Sequence, residues 1–378
     1  LLCDCLSPRL RGESGHYILT PLILINPRNV DNKEVSMLTP TVPGSYPRSP
    51  EPPRPSIVNR AIENWQAGNI TDKELERAFQ RATVEMLVEI IAAGVEVAGD
   101  GHLRWDNPAD YILRRLAGFD SPPDRLTGKG NVDASDAGLV LRSHATGRVE
   151  WRRPILVDDF RFLQERAPVD IRPALTGPFS LARLVEPGFY TRRRADLTMD
   201  LAQALNREMQ GLAAAGAKYI LIEEPLLSDD DPQADEFFSA GSILCDNIDA
   251  VIFIAGSGSL AGLAESLERS PFGGLVFDLV HNSHNDDILV SNRYFNGHIV
   301  ELGLIDGRDK RVESEMEVGM GIMRYAAHYD PDRLWVAPTG PFGLLPRNIA
   351  FEKLCNMCRG VEWARKNLAR QEIPGLED

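Results

Sequence analysis

The chain has 378 residues, 43% of them hydrophobic and 25% charged, with a formal net charge of −14; this is a globular composition long enough for one large domain. The negative field repels phosphate backbones and anionic lipid, which argues against nucleic acid and membrane surfaces as partners and favours an enzyme acting on small molecules. Five scattered cysteines make no disulfide framework, and the apolar run 17–25 is too short to span a bilayer, so a cytoplasmic setting is expected.

In chain order, residues 1–36 hold no sustained period of 2 or 3.6, and they are expected to be a disordered or non-native leader, with Met37 as the natural start. From there the pattern alternates short β-branched runs with longer amphipathic stretches. Strands are expected at Thr41–Val42, Val95–Ala98, Ile171–Leu175, Tyr219–Ile222, Ala250–Ile254, Leu275–Phe277, His298–Val300 and Leu334–Ala337. Helices are expected at Asp72–Ala93, Thr198–Ala215, Leu260–Leu267, Arg311–His328 and Arg347–Leu368. Gly94 and Gly216 stand one step past alanine-rich ends, as a left-handed cap requires. Eight strand–helix alternations predict an α/β fold, a (β/α)8 barrel spanning 37–378, with an insertion at about 105–153 that carries a small hairpin near Val149–Arg152. The proline cluster 47–55 reads as an extended loop.

In such a barrel the chemistry belongs just past the strand ends. Those positions carry Ser45 and Arg48, His102, Glu223 and Glu224, Asp278 and His281 with His284 nearby, and Glu301. The pile-up of ionisable groups there points to a shared pocket. Asp278, His281, His284 and Glu301 could also form a hard metal site able to activate water or polarise a carbonyl. Cys355-x-x-Cys358 lacks a second pair and reads as helix packing, and Gly256-Ser257-Gly258-Ser259 reads as a helix cap. No nucleophile elbow, dinucleotide fingerprint or phosphate-loop motif is present.

Three segments resemble the catalytic C-terminal half of cobalamin-independent methionine synthase, a family of the methionine synthase/uroporphyrinogen decarboxylase-like barrels. They are Gly44-Ser45-Tyr46-Pro47-Arg48, the unit from Ala214 to Pro225 that ends Ile222-Glu223-Glu224-Pro225, and Pro331-Asp332-Arg333-Leu334-Trp335-Val336-Ala337-Pro338. The tail with Lys353-Leu354-Cys355-Asn356-Met357 is similar as well. The resemblance implies transfer of a methyl or alkyl group to a thiol, a catalytic zinc and a methyl-folate donor. In the family, zinc is held by a His-x-Cys pair, a Glu and a Cys; the matching positions here are Asp278 and Val280, Glu301, and Gly340. Only Glu301 keeps its type, so the zinc site as such is expected to be lost. The two carboxylates that grip the amino group of homocysteine match Glu223 and His102, which puts homocysteine in doubt.

The expected function is therefore a methionine-synthase-like transferase acting at sulfur on an anionic or thiol-containing substrate. Glu301, Asp278, His281 and Glu223 are its candidate catalytic groups, and Ser45, Arg48, His102 and Glu224 its candidate binding groups. The alternatives are a lyase or decarboxylase acting on a small carboxylated substrate, metal-free or with an Asp/His metal, and a binding relative without catalysis.

Overall fold

A computed structural model describes residues 37–49, 56–105, 107–120, 143–229, 233–256, 258–291 and 294–371. Residues 1–36, expected to be a leader, most of the proline cluster and residues 121–142 of the insertion lie outside the described residues. All eight expected strands lie inside them, each within a few residues of its expected position.

β1 (Thr39–Val42) is followed by α1 (Ile57–Gln66) and α2 (Asp72–Ala93), and β2 (Val97–Ala98) by α3 (Pro108–Leu113). The insertion forms β3 (Leu116–Asp120), β4 (His144–Trp151) and α4 (Val157–Gln164). The third barrel strand comes in two pieces, β5 (Asp170–Ile171) and β6 (Ala174–Thr176), followed by α5 (Pro178–Leu184) and α6 (Arg194–Ala214). Then come β7 (Tyr219–Glu224), α7 (Ala234–Leu244), β8 (Val251–Gly256), α8 (Ala264–Glu268), β9 (Gly274–Asp278) and α9 (Ser283–Ser291). The last described elements are β10 (Ile299–Ile305), α10 (Glu315–Ala326), β11 (Leu334–Pro338) and α11 (Arg347–Gln371).

The main sheet is parallel in the order β5-β2-β1-β11-β10-β9-β8-β7-β6. Its two outer members are halves of one strand interrupted at Arg172-Pro173, because proline removes a ladder donor. Arg172 N–H donates to Ala98 at 2.9 Å on one side, and the Pro173 carbonyl accepts from Leu221 N–H at 2.9 Å on the other. The sheet thereby closes into an eight-stranded barrel with no free edge.

Alternation along each strand sorts side chains between two cores. Val97, Ala174, Tyr219, Leu221, Phe253, Val276 and Trp335 fill the barrel interior, while their outward neighbours, among them Ile220, Ile222, Leu275 and Val336, pack under the helices. The helices begin and stop where their caps dictate. A capping box of Thr71 with Glu74 starts α2, and Gly94 at φ 103° ends it. A second box, Ser314 with Glu317, starts α10 four residues later than its periodicity suggests.

The insertion's antiparallel hairpin pairs Leu116 with Trp151. It is anchored by the buried Glu208 of α6, which accepts from Trp151 Nε1 at 2.8 Å and from the Leu156 and Val157 N–H groups at 2.7 and 3.1 Å. Cys355 and Cys358 are buried in α11 as packing residues. No helix among the described residues is long and apolar enough to cross a membrane.

Candidate active site at the barrel mouth

On one side of the mouth the polar groups are sealed. After β2 the chain turns through Gly101 at φ 69° and His102 at φ 46°, a conformation that a residue with a Cβ holds only when its surroundings over-determine it. The restraint is a stack: the His102 ring lies 3.6 Å from Trp105, nearly parallel, and Trp105 stacks on Tyr111 at 4.8 Å. His102 Nε2 is 3.1 Å from Asp100 Oδ1. The two atoms lack hydrogen-bond alignment and line a cavity about large enough for a single water.

Burial acts to lower the pKa of His102, but Asp100, Glu223 and the Ala174 carbonyl outweigh it and raise the pKa above the ordinary histidine value. Behind the stack, Arg104 pairs with Glu76 at 2.7 Å and Asp159 at 3.3 Å, and Tyr111 donates to Asp159 at 2.7 Å. Burial raises the Asp159 carboxyl despite these partners.

Ser45 bridges to Gly101, and Tyr46 N–H donates to the Gly101 carbonyl at 3.0 Å, so the loop after β1 lies flat on the loop after β2. Gly44, at φ 62°, is required there, since a Cβ would come within 3.1 Å of both Glu223 Oε1 and Pro341 Cβ.

Several sequence-based assignments need correction on this side. Arg48, expected to hold an anion, is buried and donates to the Trp105 carbonyl, stitching the two loops together. His102, expected to face substrate, is covered by Trp105 and Asp100. Glu224, expected to bind substrate, points outward because it is one residue out of phase with inward-facing Leu221 and Glu223. It accepts from the Phe179 and Ser180 N–H groups at 3.1 and 2.7 Å, capping α5, and burial raises its pKa to about 7. Glu223 alone of the pair faces the mouth, half-buried.

Glu301 is a further correction. β10 runs on to Ile305 instead of stopping at Val300, so Glu301 lies mid-strand, in register with Val276 and Trp335 inside the barrel. It is 0% exposed and forms a two-pronged ion pair with Arg172, one arm of it at 3.0 Å. The guanidinium lies 4.7 and 5.4 Å from the Phe253 and Trp335 ring centres. Both oxygens of this carboxylate are engaged by Arg172 inside the barrel.

The opposite side of the mouth is open. Asp278 ends β9, and the residue that truly follows β10 is Asp306, which sequence reading missed. His281 stands between them, with Nδ1 2.9 Å from Asp278 Oδ2 and Nε2 3.2 Å from Asp306 Oδ2. Burial acts to raise the pKa of Asp306, but the N–H groups of Arg308 and Asp309, with His281 and Lys353 nearby, lower it on balance. His284 is exposed on α9, apart from this trio.

A model described as the N-terminal domain of cobalamin-independent synthase matches residues 143–317. A methionine synthase of Sulfurisphaera tokodaii is 30% identical over 338 residues, covering 89% of this chain and 95% of that protein. The chain belongs to the cobalamin-independent methionine synthase family. A second methionine synthase, from Saccharolobus solfataricus, is 27% identical over 341 residues, 89% of this chain and 98% of its own length. Among solved structures, a B12-independent methionine synthase of Shewanella in complex with selenomethionine superposes with a TM-score of 0.74 at 19% identity, covering 89% of this chain and all of that one. A putative vitamin-B12-independent methionine synthase of Listeria monocytogenes superposes at 0.65, with 19% identity and 88% and 99% coverage. Methionine synthase family membership makes the chain a methyltransferase-type protein on a TIM-barrel-like fold.

The family's zinc does not fit the residues present. Of the matching positions, Val280 and Gly340 have no donor atom and Glu301 is held by Arg172. The expected set Asp278, His281, His284 and Glu301 is not brought together either. Among the described residues no three His, Cys, Asp or Glu side chains converge as a metal site.

Proposed function

We propose that this family member transfers a methyl or small alkyl group to or from a thiol that carries no ammonium group, and that homocysteine is not its acceptor. The observation that carries this reading is the contact of His102 with Asp100 beneath Glu223. Where the resemblance implies two carboxylates gripping an amino group, this chain has one carboxylate and a buried imidazole whose pKa is raised by Asp100 and Glu223. With His102 held by Asp100 at 3.1 Å, an incoming ammonium meets the single carboxylate of Glu223 beside an imidazole, in place of two carboxylates. A site that offers one of two expected partners to a charged group holds it much more weakly. Glu223 then accepts from a neutral hydrogen-bond donor on the substrate, and Gly44 leaves room for it at the rim. The resemblance supports a methylated folate as donor.

The test is S-methylation, read by mass spectrometry, with methyltetrahydrofolate as donor and matched thiols as acceptors: homocysteine against 2-mercaptoethanol and 3-mercaptopropionate. Product from the ammonium-free thiols with methionine at background is expected. His102→Glu should shift the preference towards homocysteine. Methionine formation by the parent chain at a rate above that of the other thiols would refute the reading.

A further inference from the structure

We propose that Val280, Leu344 and the open space at Gly340 form an apolar recess at the barrel mouth, and that it receives the hydrocarbon body of the acceptor, a neutral thiol on a chain of several methylene groups. The inference rests on the thiol-alkylation reading above and names the substrate class of the same site.

A single exposed apolar side chain carries no meaning; the placement of these does. Among the described residues six large apolar side chains are exposed, and three of them, Leu226, Val280 and Leu344, stand just past the ends of β7, β9 and β11. Val280 and Leu344 are 45% and 56% exposed on loops that are otherwise held down. Leu279 packs against the core, and its N–H donates to the Gly303 carbonyl at 3.1 Å. Phe342 and Leu345 are buried on either side of Leu344, and Thr339 N–H donates to the Ile305 carbonyl at 2.7 Å. Both loops are thus tied to the end of β10, which brings them together: a Cβ at Gly303 would lie 3.2 Å from Thr339 Cα and 3.5 Å from Asp278 Cα. Apolar area held exposed beside a site favours a ligand that covers it.

The polar groups of the same loops are already engaged. Asp278 Oδ1 accepts from the Val280 and His281 N–H groups at 3.0 and 2.9 Å, and Asp306 Oδ1 from those of Arg308 and Asp309 at 2.7 and 3.1 Å. Their other oxygens face the two ring nitrogens of His281, one each. Thr339 Oγ1 accepts from Gly307 N–H at 3.1 Å.

What this half of the mouth leaves for a ligand is hydrocarbon and space, since a Cβ at Gly340 would meet no atom within 4 Å. Val280 and Gly340 are also two of the positions where the resemblance implies zinc donors. Glu223 borders the recess, because a Cβ at Gly44 would come within 3.1 Å of both Glu223 Oε1 and the Cβ of Pro341, next to Gly340. A mercaptoalcohol suits this arrangement: its methylenes cover Val280 and Leu344, and its hydroxyl donates to Glu223. The transfer balances without a co-reactant, as S–H and N–CH3 bonds break and S–CH3 and N–H bonds form.

The test uses the full chain with methyltetrahydrofolate and three acceptors of closely similar thiol acidity: 3-mercapto-1-propanol, 4-mercapto-1-butanol and 6-mercapto-1-hexanol. In the parent, kcat/KM should rise about threefold per added methylene. Val280→Thr and Leu344→Ser should each lower the ratio of the longest to the shortest acceptor, with melting temperature unchanged. Gly340→Val, which fills the space, should depress the longest acceptor most. A flat series in the parent, or a series as steep in Val280→Thr and Leu344→Ser as in the parent, would overturn the recess while leaving thiol methylation standing. Should no thiol be methylated, that failure belongs to the functional reading. The recess is then tested by calorimetric titration with the methyl sulfides of the shortest and longest acceptors. Tighter binding of the longer one, weakened in Val280→Thr, is expected; equal affinities, or no binding of either, overturn the proposal.

Discussion

The two sides of the barrel mouth hold similar residues in opposite states. Beside β2 and β7, Asp100, His102 and Asp159 are roofed by Trp105 and Tyr111, so their charges answer to one another. Beside β9 and β10, Asp278, His281 and Asp306 form a trio whose histidine faces solvent. What separates them is the aromatic lid: the insertion after β2 supplies Trp105 and Tyr111, and among the described residues nothing comparable covers His281. Titratable groups under a lid act on stability, and those without one are available for chemistry.

The largest effect that would sharpen this contrast lies below both sites, at Arg172 and Glu301. Glu301→Gln strands a guanidinium in the barrel and should cost about 3–5 kcal/mol in chemical denaturation. The double change Arg172→Met with Glu301→Leu should recover most of that loss; failure to recover would mean that the pair does more than satisfy itself.

Next comes Glu224, whose pKa rises from 4.5 to about 7. Because the folded-state value lies above the unfolded one, the protonated carboxyl stabilises the fold fully below about pH 4.5. That contribution, roughly 3 kcal/mol at most by the size of the shift, is lost as pH rises through about 7. Glu224→Gln should flatten the stability–pH curve across that window, and an unchanged slope would show that the two helix N–H groups fully offset its burial.

His102 has the same sign at higher pH: its raised pKa adds stability that is complete below the ordinary histidine value and fades as pH climbs through the folded one. His102→Gln leaves Asp100 without a cation and should cost about 2 kcal/mol near neutral pH, less in alkali. The smallest effect is expected on the open side, where His281→Gln should change unfolding free energy by no more than about 0.5 kcal/mol. A loss comparable with that of His102→Gln would erase the distinction between the two sides.

The barrel was legible because its strands alternate and its helices carry strong stop signals: Gly94 and Gly216 marked ends that the structure keeps. Which polar residues stand at the mouth was legible only where a strand end was read correctly. β9 stops at Asp278, as Leu275–Phe277 suggested, so Asp278 and His281 were found. β10 was ended at Val300, although Leu302, Leu304 and Ile305 continue the apolar run to the turn at Asp306-Gly307; that error promoted Glu301 and hid Asp306. Glu223, as a catalytic group, and Glu224, as a binding group, were both assigned to the mouth, although a period of two must send one inward and the other out. Arg172 left no local signal, because its partner is 129 residues away and only closure of the barrel brings them together.

That closure also bears on how the chain is made. Thr39 of β1 pairs with Trp335 of β11, so the first barrel strand has one neighbour, β2, early in synthesis and the other only once β11 has followed it out of the ribosome. At about 5–20 residues per second the open flank of β1 waits for tens of seconds. Once formed, the seam is clasped from outside by Arg365 of α11, which donates to the Met37 carbonyl at 2.7 Å and pairs with Glu96 at 3.0 Å. α11 is thus the latch on β1, and a nascent chain arrested before it would present an unfinished cylinder to the chaperones that patrol the ribosome exit.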